Sequence, residues 1–550
     1  MREMASLIRK TKSICPECQV VIDANYEEED GQVFMVKECT DHGKYKDLIS
    51  INAKHFRWIQ QYKMDSEAKI HNPQVSEKKL GCPHDCGICN SHKSAPAVAT
   101  VDVTYRCNLK CNICYANALT ETGKNIEPTF EELRKIYQHF RDIKPQPPTC
   151  SMYTGGEPTM RDDLPDILRM TTEMGFTQRQ VATNGIRFAK DIDFLQDCID
   201  AGMNTTYLQF DGVGPEVYKS IRNADIWHYK QKMIENSRTL GFPGVILVPT
   251  IAKGINEDQV PTIIDYAIEN LDVVSTISFQ PVSLCGRVEQ EDLLKLRYTS
   301  SHVIKAVNDY TDGESGWMYP MPALAKFVKV TSWLGDNPDV LELTCDPKCG
   351  FGTFLSISKD NKIRDITKIF DPQKFLRLSD KWYKRLLKQR QHGQKKFEHL
   401  LNFGILSKSV GALLDKGNKS LTKLQFAAEL LTVLQNPLKD GLDNFIQRTQ
   451  LFLRTILNSS RDSSADFVVK GNNLLIVMMH FQDAYNLDLE RTSRCLVNFG
   501  YIDPKTKKVM AVPFCTMNTI HRPRIEKELL MAQAITTEEK PEHPIPRIQS

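Results

Sequence analysis

Between about residues 98 and 285, short apolar runs alternate with longer stretches in which apolar residues recur at helical spacing. The short runs read as strands and the longer stretches as helices, so the alternation predicts βα units with parallel strands. Candidate strands are Val98 to Thr104, Cys150 to Tyr153, Arg179 to Thr183, Thr206 to Phe210, Val245 to Thr250 and Ser275 to Pro281. Six such strands suggest a partial (β/α)6 barrel, in which chemistry gathers at the C-terminal strand ends. Helices between them pack on the core: in Asp163 to Met174, the apolar Leu164, Ile167, Leu168 and Met174 fall near one face.

Other patterns bracket this core. Near the N-terminus, strand-like runs Val20 to Tyr26 and Val33 to Lys37 flank the turn-prone Glu27 to Gly31, predicting a β-hairpin. Toward the C-terminus, two strand-like runs flank the turn Asp503-Pro504-Lys505. Lys381 to Lys396 holds seven Lys or Arg among Trp382, Leu386 and Leu387. That pattern fits a basic amphipathic helix, either packed with a solvated face or resting on an anionic membrane. Ile525 to Ser550 reads as a disordered tail. The expected fold class is α/β: a partial barrel with an N-terminal rubredoxin-like β-hairpin metal domain and a mostly helical C-terminal region carrying an auxiliary iron–sulfur site. The expected division is 1–60 metal-binding domain, 61–97 auxiliary cluster segment, 98–290 core barrel and 291–370 barrel completion with cluster ligands. A helical insertion follows at 371–465, then a cluster-binding hairpin region at 466–524 and the tail at 525–550.

The chain has 550 residues, 41% hydrophobic and 25% charged, enough for two to four domains. A net charge of +3 leaves no global nucleic-acid footprint. No apolar leader follows the charged N-terminus MREMASLIRK, and no run is long enough to cross a bilayer, which predicts a soluble chain. Of its 16 cysteines most cluster at ligand spacing, which fits a reducing cytoplasm better than a disulfide framework.

The stretch TYRCNLKCNICYANA places Cys107, Cys111 and Cys114 on one loop after the first candidate strand. Three closely spaced thiolates can hold three corners of a 4Fe–4S cubane, leaving one iron open. Zinc would favour paired knuckles with a fourth ligand at finger-like spacing. This spacing resembles the signature of radical S-adenosylmethionine (SAM) enzymes, although Ile113 stands where an aromatic is usual and Tyr115 follows instead. Gly155, Gly156, Glu157 and Pro158 end the second candidate strand, where glycines let a ligand approach the backbone and the Glu157 region can receive the SAM amino group. Asn184 ends the third and could bond ribose or methionine groups; Gln209 and Asp211 end the fourth and could face SAM or substrate. Ordinary turn chemistry is the alternative for these positions.

Three further sets carry metal-ligand spacing. Cys15 with His42, and Cys18 with Cys39, are symmetric about the N-terminal turn, so a hairpin would gather them into a tetrahedral site for zinc or iron. Cys82, Cys86 and Cys89 repeat the triplet spacing and read as an auxiliary cluster, with His92 a conceivable fourth ligand. Cys345, Cys349, Cys495 and Cys515 would complete a third cubane, the last two brought opposite each other by the C-terminal hairpin. Cys150, Cys198 and Cys285 read as small hydrophobes.

Taken with CPHDCGICNSHKS, YTGGEPTMRDDLP, ATNGIR, YLQFDGV, QPVSLCGRV and PFCTMN, these motifs resemble the radical SAM tetraether lipid synthases and their close relatives. The resemblance implies a radical SAM enzyme generating a 5′-deoxyadenosyl radical, which abstracts hydrogen from unactivated sp3 carbon to couple ether-lipid tails. It implies a lipid substrate, a low-potential ferredoxin or flavodoxin-type donor, peripheral membrane contact at the inner membrane surface, and auxiliary clusters that relay electrons or hold a radical. Relatives carry a fourth cysteine where this chain has Ala97, so the second cluster takes another ligand, keeps an iron open or is degraded. Apolar runs in Leu424 to Leu457 and Leu474 to Phe481 are candidate walls of a lipid channel. Methyl or alkyl transfer to a small heterocycle such as a pterin precursor is the alternative and would need a polar pocket; a non-catalytic metal scaffold would have no need of SAM contacts.

Overall fold

The computed structural model describes residues 5–66, 70–72, 79–87, 89, 91–117, 127–288, 295–335, 342–357, 362–402, 422–423, 425–434 and 472–538. Its N-terminal sheet is antiparallel and runs in chain order: β1 (Ser6–Ile14), β2 (Val21–Glu29), β3 (Gln32–Cys39) and β4 (Gly43–Ser50). Asp30 and Gly31, with φ of 52° and 74°, form the two-residue turn between β2 and β3. Positive φ at both positions matches the twist of a tight hairpin, which is why an Asp-Gly pair stands there.

The expected βα alternation is present. Parallel strands β5 (Val98–Thr104), β6 (Cys150–Gly155), β7 (Gln178–Thr183), β8 (Thr205–Gln209) and β9 (Val245–Val248) follow one another, and β10 (Thr250–Ile251) and β11 (Val274–Pro281) complete the run. Helices cover the outside. Helix Phe130–Arg141, for example, begins in a Thr129/Glu132 capping box and buries Leu133, Ile136, Tyr137 and Phe140. Its apolar face joins Val101, Tyr153, Leu168, Val181 and Ile277 in one continuous core.

The C-terminal region contributes more strand than its pattern suggested. Tyr319–Pro320 (β12), Gly350–Ile357 (β13), Ile363–Asp365 (β14) and Asn473–Met479 (β15) extend the sheet beyond β11, with β15 parallel to it. At the other edge, β16 (Val497–Ile502) pairs parallel with β5 and antiparallel with β17 (Val509–Pro513). Leu474 to Phe481, a candidate channel wall, is therefore mostly sheet strand. Most of Leu424 to Leu457 lies outside the described residues.

Two further expectations change. Helix Arg522–Glu538 occupies the start of the expected tail, and Ile525 is buried in it; residues 539–550 lie outside the description. The basic segment lies on helix Pro372–Asn402, where Trp382 and Leu386 are buried with Val330, Leu334, Phe426 and Leu430. Over residues 381–390 its apolar stripe is thus taken by the protein itself rather than offered to a membrane. Among the described residues no helix is long and apolar enough to cross one.

Candidate active site

The C-terminal ends of the parallel strands enclose a cavity of about 350 Å³, and Cys107, Cys111 and Cys114 line it. The cysteine loop is clamped from three sides. Gly156 N donates to Thr104 O at 2.9 Å and Glu157 N to Arg106 O at 2.8 Å. A Cβ on Gly155 would lie 2.0 Å from Thr104 O, and one on Gly156 2.1 Å from Arg106 O. The glycines are therefore required by the chain's own backbone, which docks where ligand approach was expected, although both still line the cavity. On the opposite side Arg287 N donates to Cys114 O at 2.9 Å and Arg287 Nη1 to Cys111 O at 2.9 Å.

Glu157 is buried and fully engaged. Its carboxylate accepts from Thr159 Oγ1 at 2.7 Å, Thr183 Oγ1 at 2.6 Å and Asn184 N at 2.7 Å, tying β6 to β7. Burial pushes its pKa up while these donors pull it down. Asn184 Nδ2 donates to Asn108 Oδ1 at 2.7 Å within the cysteine loop. Gln209 lines the cavity, whereas Pro158 and Asp211 do not. Asp211 is fully buried and paired with Arg222 at 2.6 Å.

Three residues with no local signal complete the site, Arg222 and Asn518 in the cavity wall and Lys230 behind it. Arg222 lines the cavity, donates Nη1–H to Ile113 O at 3.0 Å, and lowers the Cys111 thiol that burial raises. Lys230, fully buried, donates to Asn184 O at 2.5 Å and Gln209 Oε1 at 2.8 Å; burial lowers it to about 7. Asn518, from the π-helical turn Met517–His521, enters from the far side. Only long-range packing brings them here, so a local pattern could not identify them. Burial also pushes Cys107 up to about 12.

The remaining cavity wall is largely apolar, with Ile113, Ile246, Val248, Met479 and Phe514, and neutral polar groups are set into it. Gln280 Nε2 donates to Tyr207 Oη at 2.7 Å, and Tyr207 Oη lies 2.7 Å from Ser278 Oγ. Thr154, Gln180, Thr250, Thr276 and Gln482 add hydroxyls and amides. Cys285, expected to be a small hydrophobe, also lines the cavity, as does Cys515.

Cys15, Cys18, Cys39 and His42 come together, their ligand atoms all within 4.8 Å of one another. Two turns assemble them rather than one hairpin: Cys15 and Cys18 sit between β1 and β2, while Cys39 ends β3 and His42 lies in the turn to β4. His42 Nδ1 lies 3.6 Å from Cys15 Sγ and 3.5 Å from Cys39 Sγ; Cys18 and Cys39 sulfurs are 3.9 Å apart. Tetrahedral zinc with Zn–S of about 2.3 Å and Zn–N of about 2.05 Å requires separations of about 3.8 and 3.6 Å. The donor set fits a single ion.

Cys82 is exposed, with Cys86 and Cys89 partly buried. His92 buries its ring and directs Nε2 to Cys495 O at 3.0 Å, so that nitrogen is already engaged. Cys345, Cys349, Cys495 and Cys515 share one buried neighbourhood: burial raises Cys495, with Cys515 and Cys349 adding to it. Arg491 Nε donates to Cys349 Sγ at 3.1 Å, and Cys349 is lowered to about 7 through its bond with Cys345, with Arg491 contributing. Ala97 packs in a cluster with Cys345, Leu496 and Cys349.

Residues 101–267 match the family model of the radical SAM superfamily, and residues 7–51 match the HMPTM N-terminal zinc ribbon domain. A 7,8-dihydro-6-hydroxymethylpterin dimethyltransferase from Methanocaldococcus jannaschii is 36% identical over 525 residues, covering 94% of this chain and 95% of the relative. The chain belongs to that family of radical SAM enzymes. A probable GTP 3′,8-cyclase from Methanothermobacter marburgensis is 24% identical over 36% of this chain and 62% of its own length. Streptococcus suis SuiB bound to S-adenosylmethionine is 16% identical, with a TM-score of 0.32 over 40% of this chain and 49% of that one.

Membership makes the protein a radical SAM enzyme, using a 4Fe–4S cluster and SAM, with a metal site at the N-terminus. It also overturns the resemblance to tetraether lipid synthases and the lipid-coupling function and lipid substrate inferred from it, because the end-to-end relative is a pterin dimethyltransferase. Motifs around the clusters are shared chemistry of SAM cleavage and do not encode the acceptor.

Proposed function

We propose that this enzyme methylates a reduced pterin bearing a hydroxymethyl group, at a carbon, which makes the transfer carbon–carbon bond-forming. The observation that carries the reading is the likeness to the dimethyltransferase over 94% of the chain. The cavity supports it. Its hydroxyls and amides can meet the donor and acceptor edges of a bicyclic heterocycle, and apolar side chains such as Ile113, Val248 and Phe514 can pack on the ring faces.

In this reading Cys107, Cys111 and Cys114 hold the cluster, and Gly155, Gly156, Glu157, Asn184 and Gln209 shape the SAM end of the cavity, with Pro158 and Asp211 behind them. When bound, cluster and SAM supply a 5′-deoxyadenosyl radical. The chain's own residues then orient and shield: the Gln280–Tyr207–Ser278 chain fixes hydrogen-bonding groups, while Ile113, Val248 and Phe514 line the wall and exclude water. Arg222 keeps a positive charge beside Cys111, anchored by Asp211. We assign Cys82, Cys86 and Cys89, and Cys345, Cys349, Cys495 and Cys515, to auxiliary clusters, and Cys15, Cys18, Cys39 and His42 to zinc. A low-potential ferredoxin or flavodoxin-type donor supplies electrons.

The test is anaerobic incubation of the reconstituted enzyme with 7,8-dihydro-6-hydroxymethylpterin, SAM, a reductant and the low-molecular-weight fraction of a cell extract as a source of cofactors. The expected product is a pterin heavier by one or two methyl groups, and isotope label in the SAM methyl then reports whether SAM is their source. SAM cleavage with the pterin recovered unchanged would refute the assignment.

A further inference from the structure

The zinc ribbon does not hang free of the barrel. Its β1 and β2 converge on one buried carboxylate, Asp488, more than 450 residues later in the chain. Arg9 Nη2 and Thr11 Oγ1 each donate to it at 2.7 Å, and Tyr26 Oη donates at 2.8 Å. Lys348, between Cys345 and Cys349, reaches the same carboxylate at 3.4 Å and Asp346 at 2.7 Å. Asp488 is also the N-cap of helix Leu489–Thr492, accepting from Glu490 N at 3.0 Å. That helix carries Arg491, whose Nε meets Cys349 Sγ, and its end receives Cys495 N at Thr492 O.

A second set of contacts repeats the link. Lys37 Nζ donates to Ala484 O at 2.6 Å, and Arg297 bridges Asp47 of β4, at 2.9 Å, to Asp483, at 2.8 Å. Gln482 beside it donates its backbone N–H to Cys515 Sγ at 3.3 Å. Ile14, next to the zinc ligand Cys15, packs in one cluster with Leu487 and Cys515. Cys515 thus packs with the ribbon directly, and Cys349 and Cys495 are reached through the helix that Asp488 caps.

We infer that the ribbon is a brace for the C-terminal thiol site: it holds Asp488, and Asp488 positions Arg491 against Cys349 and pins Lys348 in the loop between Cys345 and Cys349. The function of the N-terminal metal is then to stiffen the surface that carries Arg9, Thr11 and Tyr26. Asp488 is a positioning residue and touches no reacting atom. This rests on the reading of Cys345, Cys349, Cys495 and Cys515 as one metal-binding set.

The experiment compares wild type, Asp488→Asn and the milder Arg9→Gln in the full chain. Hydrogen exchange of the zinc-loaded protein before reconstitution should rise on the order of tenfold or more in peptides covering 344–349 and 482–495, with 150–155 and 205–209 unchanged. After anaerobic reconstitution, about four irons per chain should be lost from the variants while SAM cleavage persists. Unchanged exchange in both variants, or an equal rise throughout the barrel, would overturn the brace. A wild type in which alkylation of those four cysteines is not blocked by reconstitution would instead refute the metal-site reading, and exchange would still decide the brace.

Discussion

At the N-terminal site four donor atoms lie within 4.8 Å of one another, whereas Cys107, Cys111 and Cys114 are set along one wall of a cavity of about 350 Å³. The first geometry closes around one ion and leaves no coordination position for a ligand. The second leaves one side facing polar side chains. Electrostatics follow the same division: His42 lowers Cys39 to about 6, while burial raises Cys107 to about 12. In the ribbon His42 draws Cys39 toward the thiolate, and the four donors need nothing else to complete the site. In the barrel loop burial holds Cys107 and Cys111 toward the neutral thiol until a metal makes thiolates of them. A structural metal site is finished by its ligands, and a catalytic one is finished by its surroundings.

The largest expected effect separates the two sites by metal. Cys107→Ala should abolish 5′-deoxyadenosine formation and keep bound zinc, whereas Cys18→Ser should lose zinc and keep the SAM-cleaving cluster; metal analysis and product assay together read both. Loss of both metals in either variant would break the comparison. Next, Arg222→Met strips Asp211 of its buried partner, and removing one member of a buried pair costs about 3–5 kcal/mol. Denaturant unfolding should show that loss, together with weaker cluster retention beside Cys111.

A smaller effect depends on pH. Glu526 lies in the buried group behind Asn518, where Arg522 bridges Asp102 at 2.6 Å and donates to Asn518 Oδ1 at 2.8 Å. Burial, only partly offset by Arg522, raises Glu526 to about 7. Its folded pKa is above its unfolded one, so the stability it contributes is present in full below about 4.3 and is lost as pH rises through about 7. Glu526→Gln mimics the protonated form and should be more stable than wild type at pH 8 by about 1–2 kcal/mol, with the difference closing near pH 5. A constant difference across that range, measured by urea unfolding, would contradict it. The smallest effect is a control on helix Leu164–Glu173, which belongs to neither site. Arg169 pairs with Asp166 at 2.7 Å in the open, and Arg169→Ala should shift stability by less than about 0.5 kcal/mol.

Much of the barrel was legible along the chain. The candidate strands at 98–104, 179–183 and 275–281 overlie β5, β7 and β11 almost residue for residue, because a buried parallel strand is a short apolar run whose length and flanks are local properties. The ligands of the N-terminal site were legible for a similar reason, each knuckle being a two-residue gap. The added strands β13, β15 and β16 were not, since nothing in LLIVMM distinguishes a sheet strand from the wall of a channel. β15 pairs Leu475 with Thr276 of β11, and β16 pairs Val497 with Val98 of β5, far back along the chain. The acceptor was illegible too: the motifs encode SAM cleavage, and groups that line the cavity, such as Tyr207, Gln280 and Asn518, are ordinary residues until the barrel closes around them.

By itself the sequence determined where the cysteine loops lie, that βα units carry the second of them, and which chemistry such a loop serves. These depend on spacing within a few residues, and short-range geometry survives any arrangement of the remainder. Tertiary structure alone decided that Gly155 and Gly156 meet Thr104 and Arg106 rather than a ligand, that Arg222 stands beside Cys111, and that Asp488 joins the ribbon to the C-terminal thiols. Such contacts depend on packing between segments far apart in the chain, and burial, not residue type, sets their strength.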